Sequence, residues 1–184
     1  MKFPSSEFWD FSTRTYQIPQ VETACLSLQD NVNADVNIIL YCCWLGENRQ
    51  PLGADDMALL LDTSQRWQQA ILQPLRNARR MMKQHIIAMP AELLEQTVRN
   101  MSDMEINAEH MEQQALEKAL DLDSRPADDS RNPLDISAAN LSLYLRQLDG
   151  VSGIADIAAD VTALLDAIYQ DAEAIQLALM SAAG

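Results

Sequence analysis

Val36-Asn37-Ile38-Ile39-Leu40-Tyr41-Cys42-Cys43-Trp44-Leu45 presents apolar side chains on every side of a helix, with Asn37 the polar exception. A helix that is apolar all round has to be surrounded, either by lipid or by other elements of the same fold. Its apolar run, residues 38–45, is far shorter than the ~20 residues needed to cross a bilayer. The remaining chain must therefore build a shell around it. Asp35 stands where it can cap this helix, and Gly46 where it can supply a left-handed stop.

The shell is helical by its spacing. Val21, Ala24, Cys25 and Leu28 form one buried face of a helix opened by Pro19, and the Asp30–Asn33 cluster reads as a turn. Ser5 or Ser6 can cap a first helix carrying Phe8, Trp9 and Phe11, which ends before Pro19. Met57, Leu60 and Leu61 follow an acidic helix start at Asp55 and Asp56. Ser64 can start a further helix through Trp67, Ile71, Leu75 and Met82, which Pro74 should bend. From Ala91 a long helix is expected to about Leu122, with Leu94, Val98, Met101, Ala108, Met111, Ala115 and Ala119 on one side. Residues 137–148 form another helix, Gly150 to Gly153 a turn, and Ile154 to Met180 a final helix with a heptad-like stripe.

Ala, Leu, Met, Gln and Glu are plentiful, aromatics make up only 5%, and no run of alternating β-branched residues suggests a sheet. The expectation is an all-α, single-domain helical bundle of six to eight helices, with a central apolar helix near residues 35–45. Residues 1–122 would form the main bundle and residues 123–133, DSRPADDSRNP, a linker or loop. Residues 134–184 would form a C-terminal helical hairpin packed on the same bundle.

Charge is unevenly laid out. The net charge of −14 divides into −2 for residues 1–100 and −12 for residues 101–184. Such acidity disfavours nucleic acid and anionic membranes as partners and suits a basic protein partner. The stretch MKFPSSEFWDF lacks the apolar run of an export signal, and Cys25, Cys42 and Cys43 form an odd set without a CxxC pair. A reducing cytoplasm is the expected compartment, with the three thiols packed in the core.

The strings Phe8-Trp9-Asp10-Phe11, Ala24-Cys25-Leu26-Ser27-Leu28-Gln29-Asp30, Ala34-Asp35-Val36-Asn37 and Cys42-Cys43-Trp44-Leu45-Gly46 carry a resemblance. Over roughly residues 6–90 the chain resembles a family of small proteobacterial proteins, of the Pseudomonas and Vibrio type, defined by a conserved domain of unknown function. The resemblance implies a cytoplasmic bacterial protein and supplies no catalytic residues.

Motifs of known chemistry are scarce. Asp30 to Asp35 alternates oxygen side chains as a calcium loop does, but Val36 and Cys42 fall where its Gly and bidentate Glu belong. Met82 precedes His85 by three and Asn107 precedes His110 by three, so no Glu-x-x-His pair exists for a di-metal centre. No Gly-rich phosphate loop or nucleophile elbow is present. Neither cofactor nor metal is expected.

Two constellations remain. Arg76, Arg79, Arg80 and Lys83, at spacings of 0, 3, 4 and 7, fall on one helical face, and Glu105, Glu109 and Glu112 share another, with Asp121 beyond. The arginine stripe either meets solvent, pairs with the acids, or grips a phosphate or a protein. Asn37, one position into the apolar helix, ties it to a neighbour or lines a pocket with Tyr41 and Trp44.

The leading expectation is a non-enzymatic adaptor or regulatory protein offering an acidic helical face to a basic protein. Its rim charges would be Glu105, Glu109, Glu112 and Asp121, and its opposing patch Arg76, Arg79, Arg80 and Lys83. The alternatives are a small-molecule or phosphate-metabolite binder using a pocket near the central helix, and an enzyme built on a buried carboxyl or histidine with a shifted pKa. The final helix closes its own bundle or pairs with a second copy in a homodimer.

Overall fold

The computed structural model describes residues 3–84, 90–148 and 157–183. Among them the chain is all helical: α1 Glu7–Tyr16, α2 Pro19–Val32, α3 Val36–Glu47, α4 Ala54–Trp67, α5 Gln73–Lys83, α6 Ala91–Ala119, α7 Pro133–Leu145, α8 Ala158–Tyr169 and α9 Ala172–Ala183. A π-helical turn, Gln68–Leu72, joins α4 to α5 without a break, so these elements form eight rods. His85 and the Gly150–Gly153 turn, together with Ile154, lie outside the described residues.

The caps explain most of the helix starts. Ser6 accepts from the Trp9 N–H at 3.0 Å, Asp35 accepts from the Asn37 N–H at 2.9 Å, and Asn132 accepts from the Asp135 N–H at 2.8 Å. Pro19 and Pro133 occupy first-turn positions where the missing N–H costs nothing. Asn33 ends α2 in the left-handed region, φ 55°, which its short side chain tolerates.

The apolar helix is the centre of the molecule. Every residue of α3 from Asn37 to Gly46 is buried. Phe8 of α1 packs edge-on against Tyr41 with ring centroids 4.9 Å apart and lies 5.5 Å from Trp44. On the opposite side α7 runs along α3, α9 covers α7, and α8 packs on α2. Residues 120–132 are tied back to the body: Arg125 holds Asp56 through two bonds of 2.5 and 2.9 Å, and the Asp128 N–H donates to the Arg49 carbonyl at 2.8 Å.

Three local expectations are corrected, at Gly46, at Ser64 and in the final helix. Gly46 is a helical residue, and the left-handed position falls at Arg49, φ 54°. What requires glycine at 46 is the approach of α7, because a Cβ there would stand 1.8 Å from Ser137 Oγ and 2.8 Å from the Pro133 carbonyl oxygen. Ser64 starts no helix; it sits in the last turn of α4 and turns its hydroxyl inward. Pro74 falls just after the π-turn, where the wider winding meets the residue that cannot donate to the preceding turn. The long final helix is broken at Gln170, φ 55°, so the heptad-like stripe is shared between α8 and α9 instead of running down one rod.

Candidate functional site

Asp35, Asn37, Ser64, Gln68, Glu112 and Gln113 converge from three directions at the N-terminal end of α3. Asn37 Nδ2 donates to Glu112 Oε2 at 2.5 Å, and Gln113 Nε2 donates to Asn37 Oδ1 at 2.8 Å. Gln68 Nε2 reaches Asp35 Oδ2 at 3.1 Å and both oxygens of Glu112 at 3.2 Å. Ser64 Oγ contacts Asp35 Oδ2 and stands 3.0 Å from Glu112 Oε1. The backbone N–H of Asp35 donates to Tyr144 Oη at 2.6 Å, which fixes the turn to α7.

Proton counting decides how this cluster is charged. The Ser64 hydroxyl has one hydrogen and faces two carboxyl groups, so one contact is satisfied only if a carboxyl itself donates. Asp35 caps α3 and already accepts from the Asn37 N–H at 2.9 Å. The chain of bonds therefore runs from a protonated Glu112 to Ser64 and from Ser64 to Asp35. Burial, and next to it the charge of Asp35, pushes Glu112 up from 4.5 to about 8, which fits a neutral carboxyl with no exposed surface.

Beside this cluster opens a cavity of about 950 Å³. Asp35, Asn37, Gln68 and Gln113 form its inner end; Trp9, Ser12, Thr13 and Tyr16 of α1 form one wall; Gln73, Arg76, Arg79 and Arg80 of α5 face Glu105 and Glu109 of α6 at the outer end. Arg76 pairs with Glu109 at 2.8 Å, and Arg79 clamps Glu105 through bonds of 2.6 and 2.9 Å. The Glu105 carboxylate holds the Arg79 guanidinium even more firmly in its charged form. Arg80 donates to Asn77 Oδ1 at 2.7 Å and has no carboxylate partner among the described residues. Among the described residues three buried polar atoms lack any partner, Ser12 Oγ, Tyr41 Oη and Gln113 Oε1.

The structure thus brings together Asn37, Arg76, Arg79, Arg80, Glu105 and Glu109. Lys83 and Asp121 are exposed and stand apart from the cavity. Tyr41 and Trp44 do not line it, because one helical turn beyond Asn37 the face of α3 is already filled by Phe8. Glu112 is no rim charge: it is fully buried behind Asn37 and Gln68. His110 is stacked on Trp9 at 3.9 Å, and burial lowers its pKa. The thiols are free and buried, and desolvation raises Cys25 to about 12 and Cys42 and Cys43 further. No cluster of metal-ligating side chains occurs among the described residues, and no described helix is long and apolar enough to cross a membrane.

Fold and site together define an all-α bundle with a polar interhelical cavity set against its central helix. The chain belongs to the family described as Protein of unknown function (DUF2390), whose model matches residues 7–116. Every residue lining the cavity, from Trp9 to Gln113, lies inside that match. No curated protein and no solved structure matches the chain.

Proposed function

We propose that this protein binds a small polar molecule in the cavity between α1, the α2–α3 turn and the α5–α6 pair. The observation that carries this reading is a cavity of about 950 Å³ whose lining joins the side chains of Asn37, Gln68 and Gln113 to Arg80, a guanidinium without a carboxylate partner among the described residues. A concave site of this size with a few convergent polar groups is the usual form of a small-molecule site. The charged lining is held in place by the pairs Arg76–Glu109 and Arg79–Glu105, which hold the guanidinium planes without spending all their N–H donors.

The adaptor reading receives less support. Two of its arginines and two of its glutamates are spent on one another, which leaves Arg80 and Lys83 as a much reduced patch. The enzymatic reading asks for a buried carboxyl with a shifted pKa in a cleft, and Glu112 meets the first condition only, since it does not line the cavity.

The test is thermal unfolding of the full chain against a panel of amino acids, sugars, nucleosides and short peptides. A ligand at 100 times its Kd adds about 2.7 kcal/mol of stability. Thr13→Trp, at an exposed wall position, should narrow the cavity and reduce the shift. A panel with no stabilising member, or a shift of undiminished size in Thr13→Trp, refutes the reading. Capture of a basic protein from lysate at low salt, lost at raised salt, would restore the adaptor.

A further inference from the structure

The rod that runs from α4 through the π-turn into α5 changes character along its length. α4 buries Met57, Leu60 and Ser64, and the π-turn buries Leu72. Around the turn, Trp67 Nε1 donates to the Ala108 carbonyl at 2.7 Å, and Gln68 Nε2 donates to Asp35 and Glu112. Beyond the turn, none of the 11 residues of α5 is buried, and none joins the hydrophobic core. Leu75, Ala78 and Met82 are only half-buried where α5 lies along α6. Elements with so little buried apolar surface are the ones that open locally while the rest of a fold stays intact.

The joint at the root of α5 is thin in backbone bonds. Over Gln68–Leu72 the π winding replaces the α pattern, and Pro74, two residues on, has no N–H to donate back into the turn. Helices bend at these two features. Among the described residues, the side-chain hydrogen bonds that fasten α5 to another helix are those of two part-buried ion pairs with α6. Arg76 meets Glu109 at 2.8 Å, and Arg79 meets Glu105 at 2.6 and 2.9 Å. The bonds of Arg80, to Asn77 Oδ1 and to the Arg76 carbonyl, stay inside α5. The helix so fastened is also a wall, since Gln73, Arg76, Arg79 and Arg80 line the cavity together with Glu105 and Glu109 of α6.

From this we infer that α5 is a hinged wall, which bends at residues 68–74, swings off α6 when the two ion pairs part, and so opens and closes the cavity. The inference rests on the reading of the cavity as a binding site only for what passes the wall. The hinge and its two latches belong to the chain without ligand. Met81 lies nine residues past Leu72, about 13 Å along the helix, so a bend of about 30° carries it roughly 7 Å.

Nitroxide labels on the full chain test this by pulsed electron spin resonance, because the three native thiols are buried and leave introduced cysteines to react. Met81→Cys on α5 is paired with Thr23→Cys on α2, and Gln65→Cys on α4 with the same Thr23→Cys is the control; all three positions are exposed. The Met81 pair is expected to show two distances, the second growing at about 1 M salt, which screens part-exposed ion pairs. Glu105→Gln with Glu109→Gln should raise the ratio of open to closed at least about tenfold. Pro74→Ala restores the missing donor and should lower that ratio severalfold. The Gln65 pair should keep one distance throughout, which also shows that the variants fold. A single Met81 distance unmoved by salt and by the double variant overturns the hinge, and an open population undiminished in Pro74→Ala overturns residues 68–74 as the joint. If the thermal panel yields a ligand while α5 stays fixed, the hinge fails and the cavity reading stands. If α5 swings and the panel yields none, the hinge stands and the cavity reading fails.

Discussion

Glu112 has lost all of its solvent and gained one charged neighbour, Asp35, with Tyr144 the other titratable group close by and no cation facing it among the described residues. Its folded pKa of about 8 lies above the 4.5 it has when exposed. Between those values the folded chain holds a proton that the unfolded chain has released. Stability therefore falls as pH rises across this window, by up to about 1.4 kcal/mol per pH unit, and the loss levels off above it. Asp56, which its bond to Arg125 holds below the usual carboxylate range, acts with the opposite sign and only toward acid. Glu112→Gln keeps an acceptor for Asn37 and a donor for Ser64 without the titration. Urea midpoints from about pH 5 to about pH 8 should show the variant gaining on the wild type steadily; a constant difference would place no proton on Glu112. The burial of Glu112 was written in the sequence through Ala108 and Leu116, four residues to either side on one helical row. The run Glu105, Glu109, Glu112 hides it, because a solvated acidic face has the same spacing. Only the partners on α3 and α4, distant in sequence, show which acids are inside.

At the scale of elements, spacing and local start signals were sufficient to place α1, α2, α3 and α6, whereas α4 runs past the expected start at Ser64 and α7 begins at Pro133 instead of residue 137. The contact between α3 and α7 was not legible, because nothing local distinguishes a glycine that ends a helix from one that admits a neighbour. Gly46 is of the second kind, and a methyl group there would collide with both Ser137 and the backbone of Pro133. Gly46→Ala is expected to cost about 2 kcal/mol or more, as overpacking of a tight core contact does. Gly53→Ala is the control, since its nearest neighbour would be Asp56 Oδ2 at 3.7 Å and its φ of −93° suits any residue. That variant should stay within about 0.5 kcal/mol of the wild type in urea unfolding. Loss of equal size in both would mean that helix crossing is not what selects glycine at position 46. The break at Gln170 was equally hidden, because the apolar stripe continues across it, and a left-handed residue that is not Gly or Asn has no local signature.

At the scale of the molecule, the family match ends at residue 116 while the core does not. Ala138, Leu141, Tyr144 and Leu145 of α7 are buried in the same cluster as Ile39, Cys42 and Cys43 of α3, and Ile175, Ala178 and Leu179 of α9 extend it. Tyr144 also accepts the Asp35 N–H that sets the start of α3, so the inner end of the cavity depends on a residue outside the matched segment. An apolar helix with one side uncovered would lose roughly 25 cal/mol for each Å² returned to water, and several residues of that size exceed the whole stability of an ordinary domain. A chain truncated after residue 122 is therefore expected to lack a cooperative urea transition and to bind a hydrophobic dye, whereas the full chain unfolds in one transition. Sharp unfolding of the truncated chain would show that α1 to α6 cover α3 unaided. The same measurement bears on the binding reading, because a truncated chain that folds but no longer stabilises with ligand would locate the contribution of α7 in the Asp35–Tyr144 bond.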